Sequence, residues 1–142
     1  MTSSTANPNV AASLDAWHSM VASKNLKALP ELLDPKAVFR SPMAYKPYEG
    51  APVVSMILNT VIQVFENFAY HRQLLSADGL SVVLEFSATV GDKKLKGIDM
   101  VQFNAEGKIV DFEVMIRPMS GLQALGDEMG KRLAPYLAAA KS

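Results

Sequence analysis

Five side chains in the second half of the sequence can move protons or hold an anion, and their spacing places them on one sheet face. His71, Gln73, Asp99, Glu113 and Arg117 fall within residues 68–117, a stretch of alternating and β-branched residues broken by three turn signals. Read as a two-residue turn, Asp78-Gly79 sets Gln73 opposite Leu84 and His71 opposite Phe86. Gly91-Asp92 then sets Leu84 opposite Asp99, Phe86 opposite Gly97 and Ala88 opposite Leu95. A type I turn with a bulge at Gly107 sets Phe103 opposite Ile109, Asp99 opposite Glu113 and Leu95 opposite Arg117. One face therefore carries the five polar residues among Leu84, Phe86, Ala88, Leu95, Val101 and Met115.

That setting defines the chemistry. Two carboxylates directly opposed in an apolar concavity cannot both ionise cheaply, so Asp99 and Glu113 are expected to share a proton near neutral pH. A protonated carboxyl donates to a developing oxyanion or acts as a general acid. Beside the pair, His71 is either a general base or a histidine bonded to backbone or to Gln73. Arg117 either binds an anionic group of a ligand or pairs with Asp99 or Glu113. The candidate catalytic residues are His71, Asp99 and Glu113; the candidate ligand contacts are Arg117, Trp17, Tyr45, Phe86, Met115, Gln73 and Ser41.

The elements that position these residues follow from periodicity. Val10, Leu14, Trp17 and Val21 recur at helical spacing after a cap at Asn7 or Asn9. A short helix over 26–33 is expected to stop at Asp34-Pro35, and 37–40 to form a short strand. The segment 43–50 reads as a loop carrying Tyr45 and Tyr48. Pro52 opens a helix with an apolar stripe through Val54, Ile57, Leu58, Val61 and Phe65. Four strands near 68–77, 80–90, 93–103 and 108–117 precede a closing helix through Leu122, Leu125, Met129 and Leu133, with Pro135 near its end. Helices followed by an antiparallel meander give an α+β domain. The opposite sheet face is also apolar, with Leu74, Val83, Ile98, Met100, Phe112, Val114 and Ile116 flanked by Arg72, Glu85 and Lys96, so a homodimer is expected through it.

Composition narrows the function. With 142 residues the chain fits one domain, expected as a disordered tail over 1–8 and a single unit over 9–142. Lysine plus arginine equals aspartate plus glutamate at 14 each, which argues against a nucleic-acid binder dependent on phosphate contacts. Cysteine is absent and only His18 and His71 occur, without metal-ligand spacing, so neither a metal nor another cofactor is expected. No apolar stretch reaches the roughly 20 residues of a membrane helix, and the polar start lacks a leader's apolar core. A cytoplasmic protein without a membrane partner is the expectation.

Several strings resemble the nuclear transport factor 2-like superfamily, which includes SnoaL-like cyclases and ketosteroid isomerases. They are the run from Asn25 through Asp34-Pro35 to Arg40-Ser41-Pro42, then Tyr48-Glu49-Gly50, and Ile98-Asp99 with Phe103-Asn104 and Gly107 to Val110. The resemblance implies a cystatin-like cone, with helices on a curved sheet around an internal cavity. It places Asp99 where ketosteroid isomerases keep a protonated oxyanion-hole aspartate. Ser41 falls at the position of their catalytic base and Trp17 at that of their hydrogen-bonding tyrosine. The arginine of the Arg-x-Asp pair in limonene-epoxide-hydrolase relatives is replaced by Gly97. SnoaL-like cyclases carry an aspartate where this chain has Arg117. The implied function is binding of a small hydrophobic ligand, with acid–base conversion of a carbonyl-bearing substrate by isomerase, cyclase or hydrolase chemistry. The alternatives are a non-catalytic carrier or sensor, or a protein-interaction module.

Overall fold

The computed structural model describes residues 6–141, with side chains to residue 136, so the expected tail over 1–8 lies mostly outside the described residues. Helix α1, Pro8–Ser23, begins where Asn7 Oδ1 accepts a 2.8 Å hydrogen bond from Asn9 N. It buries Val10, Leu14, Trp17 and Val21 on one side. A 3-10 turn at Leu29–Leu32 stands where a short α-helix was expected, and β1 runs Leu33–Arg40 straight through Pro35. The two-residue β2, Tyr48–Glu49, precedes α2, Ala51–Val64, whose first turn contains Pro52. Strands β3 Glu66–Leu75, β4 Ser81–Val90, β5 Lys93–Phe103 and β6 Ile109–Arg117 form the meander, and α3, Met119–Lys141, closes the fold with Pro135 inside it.

The six strands form one open sheet in the order β2-β1-β6-β5-β4-β3, antiparallel except for the β1–β6 pair. All three helices lie against one face. Val10, Trp17, Val54, Ile57, Leu84, Val101 and Phe112 belong to the main core, and a second cluster joins Phe65 and Phe86 to Leu125 of α3. Among the described residues, no helix is long and apolar enough to cross a membrane.

The β4–β5 register matches the turn-based expectation, with Leu84 opposite Asp99 and Phe86 opposite Gly97. Two bulges overturn the registers on either side. In β6 the pairing moves from Phe103–Ile109 to Gln102–Asp111, so Val110 is the extra residue. Asp99 therefore faces Val114 and Glu113 faces Met100. In β3 the pairing moves from Gln73–Leu84 to Tyr70–Phe86, with one extra residue between them. Each insertion turns every side chain beyond it to the other face. Phe112 and Val114 thus join the core side, while Glu113, Met115 and Arg117 leave it.

Candidate active site

Among the described residues, Asp99 is the one carboxylate lining a cavity of about 180 Å³ between the sheet and the helices. The walls are almost wholly apolar, including Phe39, Ile57, Leu58, Phe68, Val114 and Leu125. Polar groups are few: the indole N–H of Trp17, the hydroxyls of Ser41, Tyr48 and Tyr70, and the Asp99 carboxyl.

The Tyr70 hydroxyl donates to Asp99 Oδ2 at 2.6 Å and accepts from Trp17 Nε1 at 3.0 Å. Among the described residues this is the only hydrogen bond to the carboxyl, and no buried side-chain oxygen or nitrogen lacks a partner. Asp99 Oδ1 therefore opens onto the cavity. Burial in this apolar surrounding pushes the Asp99 carboxyl up to about 7, opposed by the Tyr70 hydrogen bond, which favours the anion. Tyr70 is itself raised well above its ordinary value, first by burial and then by the neighbouring Asp99 charge.

Three aromatic rings pack against Tyr70, His18 among them edge-to-face at 5.2 Å. The Tyr70 ring meets Phe68 edge-to-face at 4.8 Å and Phe86 at 6.4 Å, and Phe86 stacks on Phe68 at 5.1 Å. Gly97 makes room for this packing: a Cβ there would lie 2.7 Å from Phe86 Cζ and 2.5 Å from the Met115 carbonyl oxygen.

Ser41 shares the inward row with Asp99. Arg40 pairs with Glu113 in parallel register, which puts Ser41 beside Val114, and Val114 faces Asp99. The two residues thus sit two strand spacings apart, about 10 Å. Ser41 Oγ accepts from Met43 N at 3.0 Å, leaving its own proton free to donate into the cavity.

The other expected site residues lie elsewhere. His71 is exposed on the outer face and shares a 2.8 Å hydrogen bond with Ser87 Oγ. Gln73 stays on the helix side but at the exposed edge, where its Oε1 meets His18 Nε2 at 3.0 Å. Glu113 lines an outer groove with Arg40 and Tyr45, and Tyr45 is fully exposed. Met115 and Arg117 line a second outer groove. Phe86 is wholly buried behind Phe68 and Tyr70 and buttresses the site without lining it. The expected Asp99–Glu113 couple and its neighbouring imidazole are therefore not assembled; Asp99, Trp17 and Ser41 are brought together.

Tyr70 is the residue the sequence reading missed. It stands next to His71, and the β3 bulge puts Tyr70 inside where simple alternation puts His71. Its one available signal was its type: in a strand of alternating polarity, a tyrosine has both a core-filling ring and a hydroxyl for a buried carboxyl.

The model of the SnoaL-like domain matches residues 14–112, which include α2, the cavity-lining part of α1 and the Asp99 strand but not α3. The chain belongs to the SnoaL-like domain family. The crystal structure of a steroid delta-isomerase from Pseudomonas aeruginosa superimposes with a TM-score of 0.92 and 70% identity, covering 96% of this chain and 99% of that one. A cystatin-like-fold protein from Silicibacter pomeroyi gives 0.81 and 32% over 95% and 94% of the two chains. SalBIII, an epoxide hydrolase/cyclase-like enzyme of salinomycin pyran-ring formation, shares the fold at a TM-score of 0.63 and 18% identity, over 77% of this chain and 90% of that one. The comparison with curated proteins gave no match. The SnoaL-like chain thus has isomerase and cyclase-like structural neighbours.

Proposed function

We propose that this SnoaL-like protein is an isomerase-type enzyme for a small, largely apolar carbonyl compound, with Asp99 moving the proton. The observation that carries the reading is the Asp99 carboxyl itself. It is buried, poised near pH 7, held at Oδ2 by Tyr70 and open to the cavity at Oδ1. A group balanced between its two forms at working pH can both take and return a proton.

The ionised carboxylate removes a proton from the carbon next to the ligand carbonyl, giving an enolate and a neutral Asp99. Asp99 then returns that proton to the far carbon of the conjugated system, which shifts the double bond with no other reactant. The hydroxyls of Ser41 and Tyr48 are the cavity donors available to the ligand oxygen. No cation lines the cavity among the described residues, which suits a neutral ligand. The steroid delta-isomerase neighbour, at 70% identity, supports a fused-ring ketone as the substrate class.

A β,γ-unsaturated steroid ketone tests this. Wild type is expected to convert it, and Asp99→Asn to lower turnover by about 10²-fold or more while still binding it. Equal turnover in the variant overturns the role of Asp99.

A second reading, a non-catalytic carrier or sensor, is favoured by one observation. Asp99 is the only carboxyl or imidazole lining the cavity among the described residues, so no separate acid assists it. Saturable binding of the ketone without conversion by wild type selects that reading. We further infer a homodimer through the outer sheet face, where Leu74, Met100 and Met115 are exposed beside charges of both signs.

A further inference from the structure

Met43 lies on the turn after β1, and its side chain does two things at once: it lines the cavity and is 49% exposed. Across from it α3 presents Gly126 and, one turn on, Gly130, both also lining the cavity. Gly126 is a seat for Met43. A Cβ there would overlap Met43 Cε and come within 2.8 Å of its Sδ and 3.2 Å of its Cγ. Gly130 is different: it is exposed, and a Cβ there would meet nothing within 4 Å. The same helix face is thus filled by a thioether at one glycine and open at the next.

We propose that ligands enter the cavity between Met43 and Gly130, and that Met43, resting on Gly126, sets the width of what passes. Its significance as a ligand entrance rests on the functional reading above. Methionine suits the task because it is unbranched and has three rotatable bonds, so its tip leaves Gly126 without moving the backbone. An exposed side chain of this kind changes rotamer within picoseconds to nanoseconds. The turn that carries it is held to the end of β1 by Met43 N donating to Ser41 Oγ at 3.0 Å and Ala44 N to Ser41 O at 3.4 Å, so the gate hangs from a serine that lines the same cavity as Asp99.

A rival route exists on the far side of Tyr70. There an outer groove beside His18 and Lys24 is divided from the cavity by Val21, Ile62, Phe68 and Tyr70. Three of these are large apolar side chains locked in the core clusters. That wall has no glycine in it.

The test uses Trp17, the single tryptophan of the chain, which lines the cavity and is 5% exposed. Acrylamide, a small neutral quencher, reports the path to it without any ligand binding or proton transfer, so the outcome stands apart from the assignment of Asp99. Met43→Ala is expected to raise the quenching rate constant severalfold. Gly130→Leu places a branched side chain in the open slot, and leucine favours a helix over glycine, so the fold is kept and the rate constant is expected to fall severalfold. Unchanged quenching in either variant overturns the proposal and moves the entrance to the groove beside His18.

Discussion

Tyr70 Oη stands 2.6 Å from Asp99 Oδ2 and takes a hydrogen bond from Trp17 Nε1 at 3.0 Å, so α1, β3 and β5 meet in one chain of donors that ends on a carboxyl. The chain runs in a single direction, and each bond polarises the next. Removing the middle member isolates the carboxyl. Tyr70→Phe keeps the ring against Phe68 and Phe86 but deletes the hydrogen bond that favours the anion. A hydrogen bond to a charged group is worth about 1.5–3 kcal/mol, and each pH unit about 1.36. Asp99 is therefore expected to titrate about one pH unit or more higher than in wild type, as read from the pH dependence of its carboxyl carbon resonance. A titration that stays put or moves down contradicts the role given to Tyr70.

The same carboxyl makes stability depend on pH. Its ordinary value is 3.8 and burial raises it to about 7 in the folded chain, so between those values the folded state binds the extra proton. Stability then falls as pH rises through this window and levels off above it. The full contribution is on the order of 4 kcal/mol for this buried group. Asp99→Asn, neutral at every pH, is expected to flatten that slope and to be more stable than wild type at pH 8. Urea unfolding of both proteins at pH 5 and pH 8 checks it; parallel pH profiles for the two would contradict a buried, raised Asp99.

Most of the fold was legible because its signals are local. Gly79, Gly91 and Gly107 all adopt positive φ at turns, where glycine is least strained, and each was readable as punctuation between strands. The β4–β5 register followed directly from Gly91-Asp92. The site was less legible because two insertions carry no such mark. Val110 is an ordinary strand former and His71 and Arg72 are polar residues that fit an exposed strand face, so nothing in their types distinguishes a bulge from continued alternation. Both bulges lie beside the meander's correct core pair, so Asp99 was placed correctly while its partners came from the wrong faces. Glu85 shows the outer counterpart. Arg72 and Lys96 hold it below the usual carboxylate range, an ion-pair cluster that alternation does place on the outer face.

Gly97 is where backbone packing and the site meet. Its missing side chain lets the tip of the Phe86 ring approach β5 closely, and Phe86 in turn supports Tyr70. In Gly97→Ala the new methyl group meets the Met115 carbonyl oxygen at 2.5 Å and Ile116 Cγ1 at 3.0 Å, and the carbonyl oxygen cannot give way without moving β6. Overpacking of this kind costs about 1–3 kcal/mol. The variant is expected to unfold at lower urea by that amount and, because Phe86 is pushed toward Tyr70, to shift the Asp99 titration. A stability loss with no change in that titration would separate Gly97 from the site.

The outer face of the sheet supplies the last prediction. Leu74, Met100 and Met115 are 57%, 36% and 45% exposed on a surface that also carries Arg72, Lys96, Arg117, Glu85 and Glu113. A face bearing both signs of charge around an apolar centre can pair with its own copy about a two-fold axis, each cation meeting the partner's carboxylate. Met100 stands opposite Glu113 in register, near the middle of this surface. Met100→Glu puts a second carboxylate beside Glu113 in each copy, so the repulsion is doubled at the axis and unrelieved by the core. Sedimentation equilibrium is expected to give two chains for wild type and one for the variant, with the Asp99 titration unchanged because Asp99 points to the other side of β5. A single-chain mass for wild type sinks the dimer.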